Sequence, residues 1–132
     1  MTAERPPAAR TPPNLGGWTQ NQVVSLLLRL AEELQQLDAE LVGLEDDCVD
    51  KAEALNVASA KALLAATGKT VAEREAQALL ATEDERLLSK LADVRVRAAK
   101  RKVEILRERI GIGRTVVASL RAELELEKAP WR

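Results

Sequence analysis

The sequence predicts an all-α protein whose body is a long antiparallel coiled-coil helical hairpin, assembled into a homo-oligomeric helical bundle. The 132-residue chain has no Phe, Tyr or His and only two Trp, so it lacks the aromatic side chains that usually fill a globular core. Charged residues make up 31% of the chain while its net charge is only −1, as expected of solvated helix faces. Apolar residues also recur at spacings of three and four, the period of packed helices.

Residues 1–17 contain four of the five prolines and two of the six glycines. A segment of this composition cannot bury enough apolar surface to offset the entropy lost on ordering. We therefore predict a disordered, Pro-rich N-terminal tail over residues 1–18 and a helical hairpin over residues 19–129.

The first helix is predicted from about Thr19 to residue 66. Thr19 is a good N-cap, and Gln22 three residues later completes a capping box. The apolar seam that follows alternates in fours and threes over about six heptads, which is typical of a left-handed coiled coil. The seam consists of Val23, Leu27, Leu30, Leu34, Leu37, Leu41, Leu44, Cys48, Lys51, Leu55, Ala58 and Ala62.

The turn is predicted at residues 67–70, where Gly68 can adopt the left-handed conformation that ends a helix and Thr70 can cap the next one. The second helix is predicted over residues 71–128, before Pro130. Its apolar residues form two rows separated by a phase shift. The first row is Leu80, Leu87, Leu91, Val94 and Ala98, and the second is Val103, Leu106, Ile110, Gly113, Val117, Leu120 and Leu124.

A turn centred near Gly68 pairs residues whose numbers sum to roughly 137, as in any antiparallel helical hairpin. The second helix then outruns the first, and residues 115–127 form an overhang. Because an isolated hairpin buries only one stripe per helix, we expect further copies to cover this overhang in a dimer or a four-helix bundle. The predicted oligomer or partner interface consists of Ile110, Gly113, Arg114, Val117, Leu120 and Leu124.

Gly111 and Gly113 interrupt an otherwise strong helix-forming segment. Each costs about 1 kcal/mol relative to Ala in a helix interior, so a structural reason is expected. We predict that Gly113 allows close approach of another helix or of the Trp18 region. A kink at residues 111–113 is the alternative.

The densest basic stretch lies in the second helix. In the predicted hairpin it faces the acidic residues of the first helix, and mutual neutralisation is the simplest interpretation. The alternative is a nucleic-acid-binding surface over residues 95–114, although no aromatic side chain is present there to stack on bases. The candidate contacts are Arg95, Arg97, Lys100, Arg101, Lys102, Arg107 and Arg109.

The sequence shows no pattern that predicts a catalytic, cofactor-binding or metal-binding site. It has no His, its one cysteine is Cys48, and a pair of helices offers no concave site. Gly68-Lys69-Thr70 looks like the end of a phosphate-binding loop, but Leu63 stands where that loop requires glycine. We therefore expect a non-enzymatic protein without a cofactor. Its lone cysteine and the lack of an apolar run long enough to span a bilayer favour the cytoplasm and no membrane partner.

Two elements of the sequence carry a family resemblance. The first is the Ala-rich helix end and glycine turn AKALLAATGKTV at residues 60–71, followed by Arg74, Ala78 and Thr82. The second is Gly113-Arg114-Thr115 before the helix end at residues 120–123. The stretch from Ala58 to Leu124, about half of the chain, contains both elements and resembles a family of small helical proteins encoded by phages and prophages of Gram-positive bacteria.

The resemblance implies a phage accessory protein encoded among early genes near recombination or replication functions, and no catalytic residue carries over from it. We expect an adaptor that acts by protein–protein interaction in the host-cell cytoplasm, in phage DNA recombination or replication or against a host factor. Its partners would be further copies of itself and a phage or host protein. Direct nucleic-acid binding and a role in virion assembly or scaffolding are the alternative functions.

Overall fold

A computed structural model describes residues 18–128, and within that range the chain consists of three α-helices without any strand. Helix α1 spans Gln20–Ala65, α2 spans Val71–Ala81 and α3 spans Glu83–Lys128. The all-α prediction is thus confirmed. The Pro-rich segment of residues 1–17 and the predicted helix stop at Pro130 lie outside the described residues.

Helix α1 begins with the predicted capping box. The Thr19 backbone N–H donates to Gln22 Oε1 at 2.8 Å, and the Gln22 N–H donates to Thr19 Oγ1 at 3.2 Å. These bonds satisfy two N–H groups that have no partner within the helix. Of the twelve residues predicted to form the seam of α1, Val23 and Leu30 are buried and the other ten are half-buried. The predicted seam is therefore the less exposed face of this helix.

The turn between α1 and α2 is held by side chains of α2. Gln77 Oε1 accepts from the backbone N–H groups of Thr67 and Gly68 at 2.9 and 3.0 Å. Gly68 does not adopt the left-handed conformation that we expected, and the glycine is needed for space: a β-carbon there would lie 2.7 Å from Glu73 Cβ. Thr70 caps α2 as predicted, accepting from the Glu73 N–H at 3.1 Å.

The second half of the chain was predicted as one helix, but it is divided at Thr82. This residue is buried, and its hydroxyl donates back to the carbonyl of Ala78 at 2.8 Å. Such a bond competes with the regular ladder and bends helices. The acidic residues Glu83, Asp84 and Glu85 then begin α3, where they interact favourably with the helix dipole. Gly111 and Gly113 lie within α3, so the helix is not interrupted there.

The chain forms two compact units, and each is described by itself. The turn unit comprises residues 36–103, and the described part of the helix-end unit comprises residues 18–35 and 104–128. In the turn unit, Cys48 of α1 contacts Asp93 of α3 and Glu45 lies near Lys100. Its helical segments are therefore antiparallel.

The helix-end unit is antiparallel as well. Leu27 of α1 lies against Gly113 of α3, and Thr19 lines the same cavity as Leu124. Its α3 segment is buried at Leu106 and Val117. Both buried residues belong to the second apolar row predicted from the sequence, although Val117 was predicted to lie in the overhang beyond the first helix.

Candidate interaction surface

The inward face of α2 and α3 in the turn unit carries small residues instead of the predicted leucine row. Leu80, Leu87, Leu91 and Val94 are all exposed. The buried residues of this face are Ala78, Thr82, Ala92, Ala99 and Val103, with Glu85, Ser89 and Val96 half-buried between them.

The inward face also corrects the predicted phase shift. From Ala92 the less exposed residues Val96, Ala99, Val103 and Leu106 follow one another in steps of four and three. The step from Ala98 to Val103 is therefore not a slip in the helix packing, because Ala98 does not belong to the inward row. The missed signal was the unbroken inward row from Ala78 to Val103, most of whose residues are small and whose spacing of three and four matches that of the leucines.

The displaced leucines form an exposed apolar surface on α3, which we call the outer leucine face: Leu87, Leu88, Leu91 and Val94. Leu87, Leu91 and Val94 remain 66%, 41% and 55% exposed. Leu87 lies two residues from both Glu85 and Ser89 of the inward row, so it points to the opposite side of the helix. The face thus has the spacing of a helix-packing seam but no helix against it within the described residues.

Charged residues of both signs surround the outer leucine face. Glu83 and Asp84 precede it in the first turn of α3, while Lys90, Arg95 and Arg97 lie within it or follow it. All five side chains belong to exposed residues. The face is therefore acidic at its N-terminal end and basic at its C-terminal end.

The basic stretch makes almost no ion pairs across the turn unit. Only Lys100 among the seven candidate nucleic-acid contacts pairs with a carboxylate of the described residues, with 3.9 Å between its Nζ and Glu45 Oε2. The other six side chains are also exposed. Within residues 18–128, Lys100 is therefore the one member of the stretch that forms the direct ion pair with the first helix that mutual neutralisation predicts. The six are Arg95, Arg97, Arg101, Lys102, Arg107 and Arg109.

The residues predicted to form the overhang contact α1 instead. Val117 is only 7% exposed and lines a cavity with Val24 and Leu27. Leu120 and Leu124 line another cavity with Thr19, Gln20 and Asn21. The prediction that residues 115–127 project beyond the first helix is therefore wrong.

The pairing register explains the difference. Cys48 contacts Asp93, four residues beyond the partner that a turn centred at Gly68 predicts. The cause is the loop before α2, which packs along the first turns of that helix through Gln77 and Glu73. The centre of the hairpin therefore lies further along the chain than Gly68, and Cys48, Glu45 and Leu27 of α1 each face a later residue than expected.

The predicted interface residues differ in what they contact. Ile110 and Leu120 are half-buried, and Gly113 packs directly against Leu27. The prediction that Gly113 permits close approach is thus confirmed. Arg114 and Leu124 are exposed. A role of the six residues in binding a partner stays a prediction.

An apolar cavity of about 340 Å³ lies beside Gly113 in the helix-end unit. Its walls are almost entirely aliphatic, with Trp18 at one side and Arg109 supplying the charged group. No nucleophile or carboxylate lines it, so it lacks the convergent polar groups of a catalytic pocket. It is lined by Trp18, Val23, Leu26, Leu30, Arg109, Ile112, Gly113 and Val116.

Cys48 lies on the less exposed face of α1 and donates its thiol hydrogen to Asp93 Oδ1, with 3.0 Å between sulfur and oxygen. This bond, partial desolvation and the nearby carboxylates of Asp93, Asp47 and Glu45 raise the pKa of the thiol above its ordinary value. A raised pKa lowers the thiolate fraction and hence the reactivity of the cysteine. The surroundings of Cys48 therefore do not activate a nucleophile.

Residues 18–128 contain no cluster of three or more His, Cys, Asp or Glu side chains that could hold a metal ion. Nor does any helix in that range have the length and apolar character needed to cross a membrane. Comparison of the chain with models of known families, with curated proteins and with solved structures found no match.

Proposed function

We propose that this chain is an antiparallel coiled coil that acts as a non-enzymatic protein-interaction module. The observation that supports this function is the outer leucine face, whose large aliphatic side chains stand in solvent at the spacing of a helix-packing seam. Contiguous exposed apolar surface on a soluble domain marks a site where another protein binds. The inward face of α3 is occupied by α1, whereas no helix of residues 18–128 packs on this second face.

The biological setting of the proposal rests on the sequence resemblance alone. It is a phage accessory or adaptor protein in the host cytoplasm, acting in phage DNA recombination or replication or against a host factor. The finer fold proposal is a left-handed coiled coil assembled into a homo-oligomeric bundle. Virion assembly or scaffolding would use the same kind of surface and remains an alternative.

The experiment that tests this function combines solution assembly with partner capture. The tagged chain and its Leu87→Glu/Leu91→Glu variant are compared by sedimentation velocity and by affinity purification from infected cells. Leu64→Glu is the matched control, since Leu64 is an exposed leucine of the same unit that lies outside the outer leucine face. We expect the wild type and the control to bind themselves or another protein and the double variant to lose that binding. A wild-type chain that is monomeric and captures nothing that the variant loses would contradict the proposal.

One observation favours a second candidate function, direct nucleic-acid binding by the basic stretch. Six of its seven cationic side chains have no carboxylate within ion-pair distance in the described residues, so they remain available to phosphate groups. A gel shift over a salt titration tests this function. Affinity for DNA that falls steeply with salt, and falls further in Arg97→Glu/Arg101→Glu, would support it; equal binding by the variant would exclude it.

A further inference from the structure

We infer that the outer leucine face binds the same face of a second copy in antiparallel orientation, so that Glu83 of each copy faces Arg97 of the partner subunit. The inference rests on the proposed interaction function and names its partner and its register. Both the spacing of the apolar residues and the arrangement of charges around them lead to it.

The spacing defines which residues meet. Leu87, Leu91 and Val94 follow one another in steps of four and three, so this face has the two alternating positions of a coiled-coil seam. In an antiparallel pair, one kind of position packs against the other kind on the partner. Leu87 then faces Leu91 of the partner subunit, and symmetry repeats the contact. Leu88 of one copy lies beside Leu88 of the partner subunit near the two-fold axis. The contact therefore covers Leu87, Leu88 and Leu91 of both copies.

The charges select this register. Glu83 lies beside the seam on the same side as Lys90 and Arg97, at intervals of seven residues. When Leu87 faces the partner's Leu91, Glu83 faces the partner's Arg97, and this attractive contact occurs twice. One contact opposes it, because Lys90 lies near Lys90 of the partner subunit at the axis. Asp84 faces the partner's Val94, where its carboxylate stays at the solvent edge of the pair.

Two other arrangements of two copies place like charges together. A parallel pair would bring Lys90 next to Arg95 of the partner subunit and Arg97 next to the partner's Lys102. An antiparallel pair shifted by one heptad would set Glu83 against the partner's Glu104 and Lys90 against the partner's Arg97. Like charges across a helix interface cost affinity. The antiparallel shift in the other direction would set Glu83 against the partner's Lys90, but it would place Asp84 opposite Leu87 of the partner subunit in the middle of the seam, where a carboxylate loses its hydration. The register with Glu83 opposite Arg97 is therefore the favoured one.

The same pattern argues for a second copy over a different protein. An acidic helix would match Lys90, Arg95 and Arg97 but would be repelled by Glu83 and Asp84, and a basic helix would have the opposite problem. This face itself carries acidic residues first and basic residues second, and an antiparallel copy presents them in the reverse order. The contact covers a few turns of one helix, at the small end of specific interfaces, so association in the micromolar range is expected.

Sedimentation equilibrium of the full chain under reducing conditions tests the inference. The wild type should dimerise, and Leu91→Glu should be monomeric with unchanged helicity by circular dichroism. Glu83→Arg and Arg97→Glu should each weaken the dimer by about tenfold, because each turns two attractive contacts into repulsive ones. The double variant Glu83→Arg/Arg97→Glu restores opposite charges and should return to within about twofold of the wild type.

Two results would overturn the inference while the proposed function stands. The first is a double variant no tighter than the single ones, which would show that Glu83 and Arg97 do not face each other. The second is a monomeric wild type that binds another protein which Leu91→Glu fails to bind, which would show that a different protein occupies this face. A monomeric wild type that binds nothing more than Leu91→Glu binds would overturn both the inference and the proposed function.

Discussion

Gly113 of α3 lies directly against Leu27 of α1: a β-carbon at Gly113 would be only 2.5 Å from Leu27 Cδ2 and 3.2 Å from its Cγ. No such contact exists at Gly111, two residues earlier, where a β-carbon would meet nothing within 4 Å. Both glycines are in the same helix. Gly111 therefore shows only the cost of glycine in a helix, whereas Gly113 combines that cost with the benefit of close packing.

Alanine at these two positions should have opposite consequences. Gly111→Ala should raise the free energy of unfolding by up to about 1 kcal/mol, because alanine favours the helix and meets no neighbour. Gly113→Ala gains the same propensity but displaces Leu27, and overpacking of this kind typically costs about 1–3 kcal/mol. Chemical denaturation should therefore rank Gly111→Ala as the most stable, the wild type next and Gly113→Ala last.

A double-mutant cycle checks the cause of that ranking. Replacing Leu27 by Ala removes the atoms that a β-carbon at position 113 would strike, so Gly113→Ala should be less harmful in that background than in the wild type. If the two substitutions prove additive, the contact between Gly113 and Leu27 does not explain the glycine.

Gln77→Ala should destabilise the turn between α1 and α2. The side-chain oxygen of Gln77 accepts two backbone N–H groups, from Thr67 and Gly68, and their loss should lower the free energy of unfolding by about 1 kcal/mol. Gln36→Ala is the control, since Gln36 is exposed on α1 and alanine favours the helix. Hydrogen exchange should show faster exchange of the Thr67 and Gly68 amides in Gln77→Ala alone, and unchanged exchange would contradict the role of this side chain.

The thiol of Cys48 should react slowly with alkylating reagents and disulfides. Its hydrogen bond to Asp93 and the surrounding carboxylates raise its pKa above the ordinary 9.0, so little thiolate is present near neutral pH. Asp93→Asn should increase the rate of reaction with a chromogenic disulfide at pH 8 several-fold. Asp50→Asn is the matched control on α1 and should leave the rate nearly unchanged. Equal rates in Asp93→Asn and the wild type would contradict the hydrogen bond.

The raised pKa of Cys48 also gives the sign of a pH effect on stability. The folded chain keeps the thiol proton at a pH where the unfolded chain has begun to lose it, so the unfolded state binds fewer protons. The contribution of Cys48 is therefore fully present below the ordinary pKa near 9.0 and is lost as pH rises through the folded-state pKa. The Cys48→Ser variant should lose less stability than the wild type between pH 8 and pH 10, as measured by denaturant unfolding.

Substitutions on the two faces of the second half of the chain should distinguish the inward row from the outward one. Ala92 is 3% exposed, so Ala92→Leu should cost about 1–3 kcal/mol by overpacking. Leu80→Ala removes an exposed leucine and should change stability by less than about 0.5 kcal/mol. Thermal unfolding followed by circular dichroism measures both. A larger loss of stability in Leu80→Ala than in Ala92→Leu would indicate that the leucine row, and not the row of Ala92, faces α1.

The sequence alone predicted the helical class, the capping boxes at Thr19 and Thr70, and the inward seam of α1. Each of these depends on neighbouring residues within one helix, where spacing and local hydrogen bonding decide the outcome. The sequence did not decide which of two equally spaced rows of the second half faces α1. Leucine is the more usual core residue, yet Ala78, Thr82 and Ala92 are inside, because which row is buried depends on how two packed helices share the space between them.

The candidate surface followed the same division. The sequence predicted Leu87, Leu91 and Val94 as part of the apolar row of the second helix in the hairpin, while their exposure became visible only in the folded chain. The register was likewise a tertiary result, since the packing of the turn loop on α2 moved the pairing by several residues and placed Leu120 beside the start of α1. Local chemistry thus determined which segments are helical and how they begin. Packing between helices, which couples residues far apart in the chain, decided which faces are buried and which stay free to bind.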